Sequence, residues 1–339
     1  MASDGLKPKS ANLPGVIAEH VKDLNTLALS FVDMSQPLYA IKLQILAEFL
    51  NHAKNPKLIL LVTNDRDIQT LNALMTKQNS RFDLKRIQYV KAETTFLSSS
   101  WIRDFSPVMV QKKDGTFQLV SFDYDNGGNY SVDQKSLAKV YDLVAKKINL
   151  RIEGGNILSD ELGRLYISTA AIENNLPQGF SPDQYKAQQI KMEKILKAAL
   201  LPSEIVWIPR LNREYEGTGH VDMYIRFLKN QQAVVASSEE KAISSSLDEI
   251  AKIIISKGFK VTRIRANSKM VNHFRDQKIF PSYTNSILVN DTIFIAKFDV
   301  AEDRLATTTY EKMGYKVVQI DGESIHFGGS VHCLTYTYP

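Results

Sequence analysis

The sequence predicts an α/β protein built from one repeated unit, strand–strand–helix–strand (ββαβ), present about five times. Three observations predict it. Five segments share an order of polar cluster, extended apolar run, turn and second extended run, the pattern of a hairpin. Amphipathic helices and a further strand separate the hairpins. The polar clusters recur at residues 104, 153, 222, 285 and 333, and spacings of 49, 69, 63 and 48 belong to radial or linear arrays.

The first hairpin follows Trp101-Ile102-Arg103-Asp104, with Val108-Met109-Val110, a turn at Asp114-Gly115 and a return at Phe117 to Val120. The second runs from Glu153 through Asn156-Ile157-Leu158, turns at Gly163 and returns as Leu165-Tyr166-Ile167. The third starts at His220, continues as Met223 to Phe227, turns near Asn230 and returns as Ala233-Val234-Val235. The fourth starts at Asn285, continues as Ile287-Leu288-Val289, turns at Asn290-Asp291 and returns as Ile293-Phe294-Ile295. The fifth, Val331 to Tyr336, reaches the end of the chain before any return strand. Thr26 to Phe31 is a candidate to supply it and so to close a ring with protected edges.

Between the hairpins, Leu137, Val140, Tyr141 and Val144 fall at helical spacing on one face. Ser181-Pro182-Asp183-Gln184 is a capping box with proline in the first turn, followed by Met192, Ile195, Leu196 and Ala199 on one face. Ile243, Leu247, Ile250 and Ile254 form a third apolar face, closed by Gly258. Strands follow at residues 205–208, 260–264 and 316–320. No Pro- or Ser-rich linker interrupts this order, so residues 16–339 are expected to form one domain after a flexible segment 1–15.

Composition narrows the function classes. The chain has 339 residues, 44% hydrophobic and 23% charged, as in soluble globular proteins. No apolar run approaches the roughly 18 residues of a membrane span, and Met1 to Ser10 has no signal-peptide core. A cytoplasmic protein is the reading, with an exported mature form left open. The net charge of +5 is spread over helices without aromatic interleaving, which argues against nucleic acid and for a solvated surface.

The single cysteine, Cys333, cannot form an internal disulfide, so its value is packing or reactivity. The glycines at 328 and 329 let backbone approach a ligand there. His220 and Asp222, two apart, would share a strand face, as a structural pair or as a general acid/base beside an anionic anchor. Glu153 is either a solvated strand end or the orienter of a histidine. Asp104 offers a second carboxylate and Trp101 an apolar wall, or the pair of Trp101 and Arg103 is a packing feature. Asn285 either caps a turn or lines the pocket. A histidine and a carboxylate two apart with one distant cysteine have no usual zinc spacing, so neither metal nor cofactor is expected. Together these groups suit chemistry on a guanidinium, a planar cation that two carboxylates hold bidentately while a thiolate attacks its carbon.

The five clusters, with Glu153-Gly154-Gly155-Asn156, Gly219-His220-Val221-Asp222, Ser282-Tyr283-Thr284-Asn285 and Gly329 to Thr335, resemble the agmatine deiminases and Porphyromonas-type peptidylarginine deiminases. That resemblance implies a pentein-like five-bladed β/α propeller with pseudo-fivefold symmetry. It further implies Cys333 as nucleophile, His220 as general acid/base oriented by Glu153, and Asp104 with Asp222 on the guanidinium. Asn285 matches a pocket asparagine. The implied reaction hydrolyses guanidine to ureido plus ammonia through a thiouronium on Cys333, without cofactor. Residues 1–100 hold no tryptophan, and no arginine lies between Arg103 and Arg151. The distal end of the substrate therefore stays open between agmatine and an arginine derivative, free or peptidyl. Asp123 or Asp125 is a candidate to meet a distal amine. A small cationic guanidine or arginyl peptide is the expected partner, with a homodimer an open option. An amidinotransferase would use the same thiol to pass the amidino group to an amine. A papain-like peptidase needs a Cys-His pair but not paired carboxylates, and a guanidine-binding protein without turnover is the remaining class.

Overall fold

A computed structural model describes residues 13–20, 26–32, 38–78, 83–93, 100–124, 130–266, 270–272 and 277–338. Within them, five sheets of three or four strands share one order. In each, a short first strand pairs antiparallel with a second, and the second pairs parallel with a third. The parallel step needs a crossover, and each is made by helix.

The first sheet holds Val108–Gln111, Phe117–Asp123 and Ala145–Arg151, crossing through helix Ser131–Lys139. Gly15–Val16 adds a fourth strand against Val110 and Gln111. The second holds Leu158–Ser159, Arg164–Ser168 and Glu204–Ile208, with helix Pro182–Leu200. The capping box is present there: Gln184 N–H donates to Ser181 Oγ and Ser181 N–H to Gln184 Oε1. The third holds Ile225–Leu228, Gln232–Ser237 and Lys260–Arg265, with helix Lys241–Ser256. Its turn residues Asn230 and Gln231 both have positive φ, as a tight hairpin with right-handed strand twist requires. Gly258, at φ +93°, ends its helix. The fourth holds Ile287–Val289, Thr292–Lys297 and Lys316–Asp321, with helix Ala301–Lys312.

The fifth sheet joins the two ends of the chain. Thr335–Tyr338 pairs antiparallel with Thr26–Ser30, which continues parallel to Lys57–Val62 and Ile87–Lys91 through helices Leu38–His52 and Asp65–Gln78. The missing return strand is therefore the amino-terminal one, as the apolar run at Thr26 suggests. The two further strands and two helices between 38 and 91 carry no polar cluster to announce them. A separate small hairpin, Val271–Asn272 with Gln277–Lys278, lies outside the five sheets.

One expectation is corrected. The helix expected through Val144 ends at Lys139, because Asp142 adopts φ +54°; Val144 is 90% exposed and Tyr141 instead packs at a tilt against Tyr338, centroids 4.6 Å apart. The Pro14 carbonyl lies beside Gly163, and Gly15 pairs in a ladder with Gln111. Residues 1–12 lie outside the described residues.

No described helix is long and apolar enough to cross a membrane. Two helices bury the faces their spacing predicts: Ile243, Leu247, Ile250 and Ile254 in one, Met192, Leu196 and Ala199 in another, where Ile195 is half-buried. What positions the site is that every polar cluster lies just before the first strand of its sheet.

Ala28 sits mid-ladder between Tyr336 and Ile59. Ala28→Pro removes an N–H there and orphans a buried carbonyl, an expected loss of about 1–3 kcal/mol. Calorimetry would show a lowered thermal midpoint; an unchanged one would mean the two chain ends do not pair.

Candidate active site

Four of the five clusters are tight turns and the other, Ser282 to Asn285, is a bend, not strand starts as the alternation expected. Ile102–Phe105 is one helical turn, and Gly154–Asn156 and Val221–Met223 are 3-10 turns. Glu153 and His220 occupy the same place, extended residues at φ −85° capping equivalent turns. His220 and Asp222 face one site because a tight turn curls them together, so strand period 2 gives the right pair for the wrong reason.

Neighbouring turns are bonded in a cycle. Gly155 N–H donates to Asp104 Oδ1 at 3.0 Å, and His220 Nε2 contacts Glu153 Oε2. Ser282 Oγ donates to the Met223 carbonyl at 2.6 Å and Thr284 Oγ1 to that of Asp222 at 3.3 Å. Asn285 Oδ1 accepts the N–H groups of His332 (3.0 Å) and Cys333 (3.3 Å). Arg103 N–H donates to the Cys333 carbonyl at 3.3 Å, which returns to the first turn.

Inside this cycle Cys333 is 2% exposed. Its Sγ lies 3.1 Å from Asn285 Nδ2 and 3.8 Å from Asp222 Oδ2. His220 Nδ1 is 3.7 Å from Asp104 Oδ1. Asp222 gives Oδ2 to His332 Nδ1 at 2.6 Å, while its Oδ1 is buried without a hydrogen-bond partner. A buried acceptor left open beside a thiol is costly in a finished core and expected of a ligand site. Gly155 makes the floor: a Cβ there would lie 2.6 Å from His220 Nδ1, 3.0 Å from Asp104 Oδ1 and 3.1 Å from Asp222 Oδ2. A Cβ at Gly329 would meet the Trp101 ring at 2.6 Å and Cys333 Cβ at 3.0 Å, so Trp101 walls the thiol side.

The electrostatics follow from burial among like charges. Burial, reinforced by Asp222, pushes the Cys333 thiol up to about 12. Burial pushes the Asp104 carboxyl up to about 7, against the pull of His220 and with help from Glu153 and Asp222. Burial opposes charge on His220, but Asp104 and its bonds to Cys333 and Glu153 hold it well above the usual imidazole range.

Asp123 is not brought to these groups; it pairs with exposed Lys147 at 3.0 Å. Asp125 lies outside the described residues. A cavity of about 420 Å³ borders Glu153 and is lined by Arg213 to Thr218, Phe280, Phe327 and Gly328. Ligating atoms of His220, Asp222 and Cys333, and likewise of Asp104, Glu153 and His220, lie within 4.8 Å of one another, close enough to hold a metal ion. Sequence reasoning gave no role to His332 or Gly155, although both lie inside the motifs, and nothing in the chain near Glu19 signals that it reaches this region.

The family model for Porphyromonas-type peptidyl-arginine deiminase matches residues 32–339. The chain belongs to that family. A curated agmatine deiminase from Pseudomonas fluorescens is 23% identical over 299 residues, covering 77% of this chain and 79% of its own. The solved agmatine deiminase of C. jejuni superposes with a TM-score of 0.74 at 18% identity, and that of Enterococcus faecalis with 0.73 at 16%, each covering 96% of both chains. A cysteine-to-serine variant of the C. jejuni enzyme with substrate bound superposes at 0.75 and 17% identity, again over 96% of both. At these identities the likeness speaks for a shared α/β fold.

For this family member the floor residue tests where the ligand binds. Gly155→Ala keeps an allowed backbone but fills the slot between the carboxylates and pushes on His220, so guanidinium affinity of the folded protein by calorimetry should fall about 100-fold. Unchanged affinity would place the ligand elsewhere.

Proposed function

We propose that this chain is a cysteine-dependent deiminase that hydrolyses a guanidinium to a ureido group and ammonia. The observation that carries it is the gathering of His220 Nδ1, Asp104 Oδ1 and Asp222 Oδ2 around Gly155, with Asp222 Oδ2 3.8 Å from the Cys333 thiol. A guanidinium is a planar cation whose N–H forks match two carboxylates. Among described residues, each group needed for attack, proton transfer and cation binding lies within this one buried cluster.

The mechanism follows from the charges. In the free enzyme burial and Asp222 keep the thiol protonated. A bound cation offsets the two carboxylates, and the thiol releases its proton to solvent. The thiolate attacks the guanidinium carbon, forming a C–S bond. Protonated His220 donates to the departing nitrogen, the C–N bond breaks and ammonia leaves a thiouronium. Neutral His220 then takes one proton from water, whose oxygen adds to that carbon; the C–S bond breaks, restoring the thiolate, and the hydroxyl proton passes to ammonia or solvent as the ureido carbonyl forms. Glu153, on His220 Nε2, keeps Nδ1 aimed inward.

Agmatine is the substrate favoured here, from the relatives and from a cleft whose exposed Glu214 suits a distal amine better than a carboxylate. Arg213, the basic group of that stretch, already pairs with Glu173 at 2.8 Å. We also propose that the five sheets stand around one axis as a five-bladed propeller in a single domain from about residue 16. The common strand order, the paired chain ends and the cycle of bonded turns support this.

Ammonia release from agmatine, free arginine and arginyl peptides, with wild type and Cys333→Ala, tests the proposal. Agmatine turnover is expected, and it vanishes in the variant. The wild-type kcat/KM should fall as pH drops through about 7, where Asp104 takes up a proton, and Asp104→Asn should lack that limb. Rates abolished by a chelator would instead favour a metal at the same residues, and amidine appearing only on added amines would favour transfer.

A further inference from the structure

Behind the site lies a carboxylate that no motif carries. Glu19 belongs to the segment 13–20, and its side chain is 17% exposed. Its Oε1 accepts from Arg103 Nη1 at 2.7 Å and Thr337 Oγ1 at 2.9 Å. Its Oε2 lies 3.0 Å from Arg226 Nη1 and 3.1 Å from His332 Nε2.

Three of these partners are arms of the site. Arg103 precedes Asp104, and besides its N–H bond to the Cys333 carbonyl its Nε donates to the Thr335 carbonyl at 3.0 Å. His332 precedes Cys333 and holds Asp222 Oδ2. Arg226 stands on strand Ile225–Leu228, directly after the turn that bears Asp222. One carboxylate thus ties together the segments that supply a guanidinium-binding aspartate on either side and the nucleophile between.

Stability alone is a weak reason for such a network. Taking a carboxylate and two guanidinium groups out of water costs about what their attraction returns, and an apolar set of similar volume is often as stable. Fixed geometry is what the network adds. With Oδ2 held by His332 Nδ1, Asp222 keeps that oxygen beside the Gly155 slot and 3.8 Å from Cys333 Sγ; without that hold its carboxylate can rotate away. Burial works against charge on Glu19, yet Arg103, His332 and Arg226 hold its carboxyl well below the usual range, so it remains the anionic hub.

We infer that Glu19 is a positioning residue for the site, acting on Asp222 through His332 and on the spacing of the Asp104 and Cys333 turns through Arg103. The inference rests on the deiminase reading. Glu19→Gln keeps the size and removes the charge; His332→Gln cuts only the branch to Asp222. Both are measured as folded protein well below the thermal midpoint, for agmatine kinetics and for guanidinium affinity in the Cys333→Ala background. Each single variant should lower kcat/KM and weaken guanidinium binding by about tenfold or more. The double variant should do no worse than the larger single effect, because both break one chain of contacts.

A purely structural Glu19 would lower the midpoint and leave affinity and kcat/KM of the folded protein within about two-fold of its parent, and that result overturns the inference. Effects of the two variants that simply add overturn the His332 route. Should Glu19→Gln fail to fold, parent-like kinetics in His332→Gln overturn it equally. Absence of turnover in the wild-type chain would count against the deiminase reading instead, while guanidinium affinity in the Cys333→Ala background still tests Glu19.

Discussion

The rest of the structure depends on a cycle of five bonded segments. Asp104, the Glu153 turn, the His220 turn, the Ser282–Asn285 segment and Cys333 each bond to the next, and Arg103 closes the sequence onto Cys333. The constraint being met is electrostatic. Asp104, Asp222, Glu153 and a thiol must stay close in a buried space where like charges repel and water is scarce. Side chains alone would relax apart. Segments tied to one another through side-chain-to-backbone bonds hold them, and the repeating sheets supply those segments at equivalent places.

Two consequences follow for chemistry. In the proposed reaction a thiol in anionic surroundings is quiet until a cation arrives, so substrate binding favours the reactive form. That would couple recognition to activation without a moving part. The same carboxylates are tolerable because each has a fixed counter-contact: Gly155 N–H and His220 on Asp104, His332 on Asp222. Asp222 Oδ1 stays without a hydrogen-bond partner, and the proposed reading gives that acceptor to the substrate.

Much of this was legible in the chain because the repeat makes local signals redundant. Hairpins at Asp114-Gly115 and Asn290-Asp291, the Ser181 capping box and the Ile243–Ile254 stripe are short-range patterns, and short-range physics decides them. The closing strand at Thr26 was legible because an unpaired fifth hairpin requires a partner. Three things were not. The helix beyond Leu137 looked longer than it is, since apolar spacing says nothing of the left-handed turn at Asp142. His332 was read only as a neighbour of Cys333, because its partners Asp222 and Glu19 are 110 and 313 residues away. Asp123 looked available as an isolated acid, but Lys147 on the adjacent strand meets it. Long-range side-chain pairing leaves no periodicity to read.

The account stands on a covalent bond at one sulfur. Because Cys333 is the only cysteine in the chain, acid quenching during agmatine turnover followed by peptide mass spectrometry reads that bond without ambiguity. The account predicts an adduct with the mass of agmatine less ammonia, on the peptide that contains Cys333. Steady ammonia release with that peptide unmodified, or with the adduct on another residue, would contradict it.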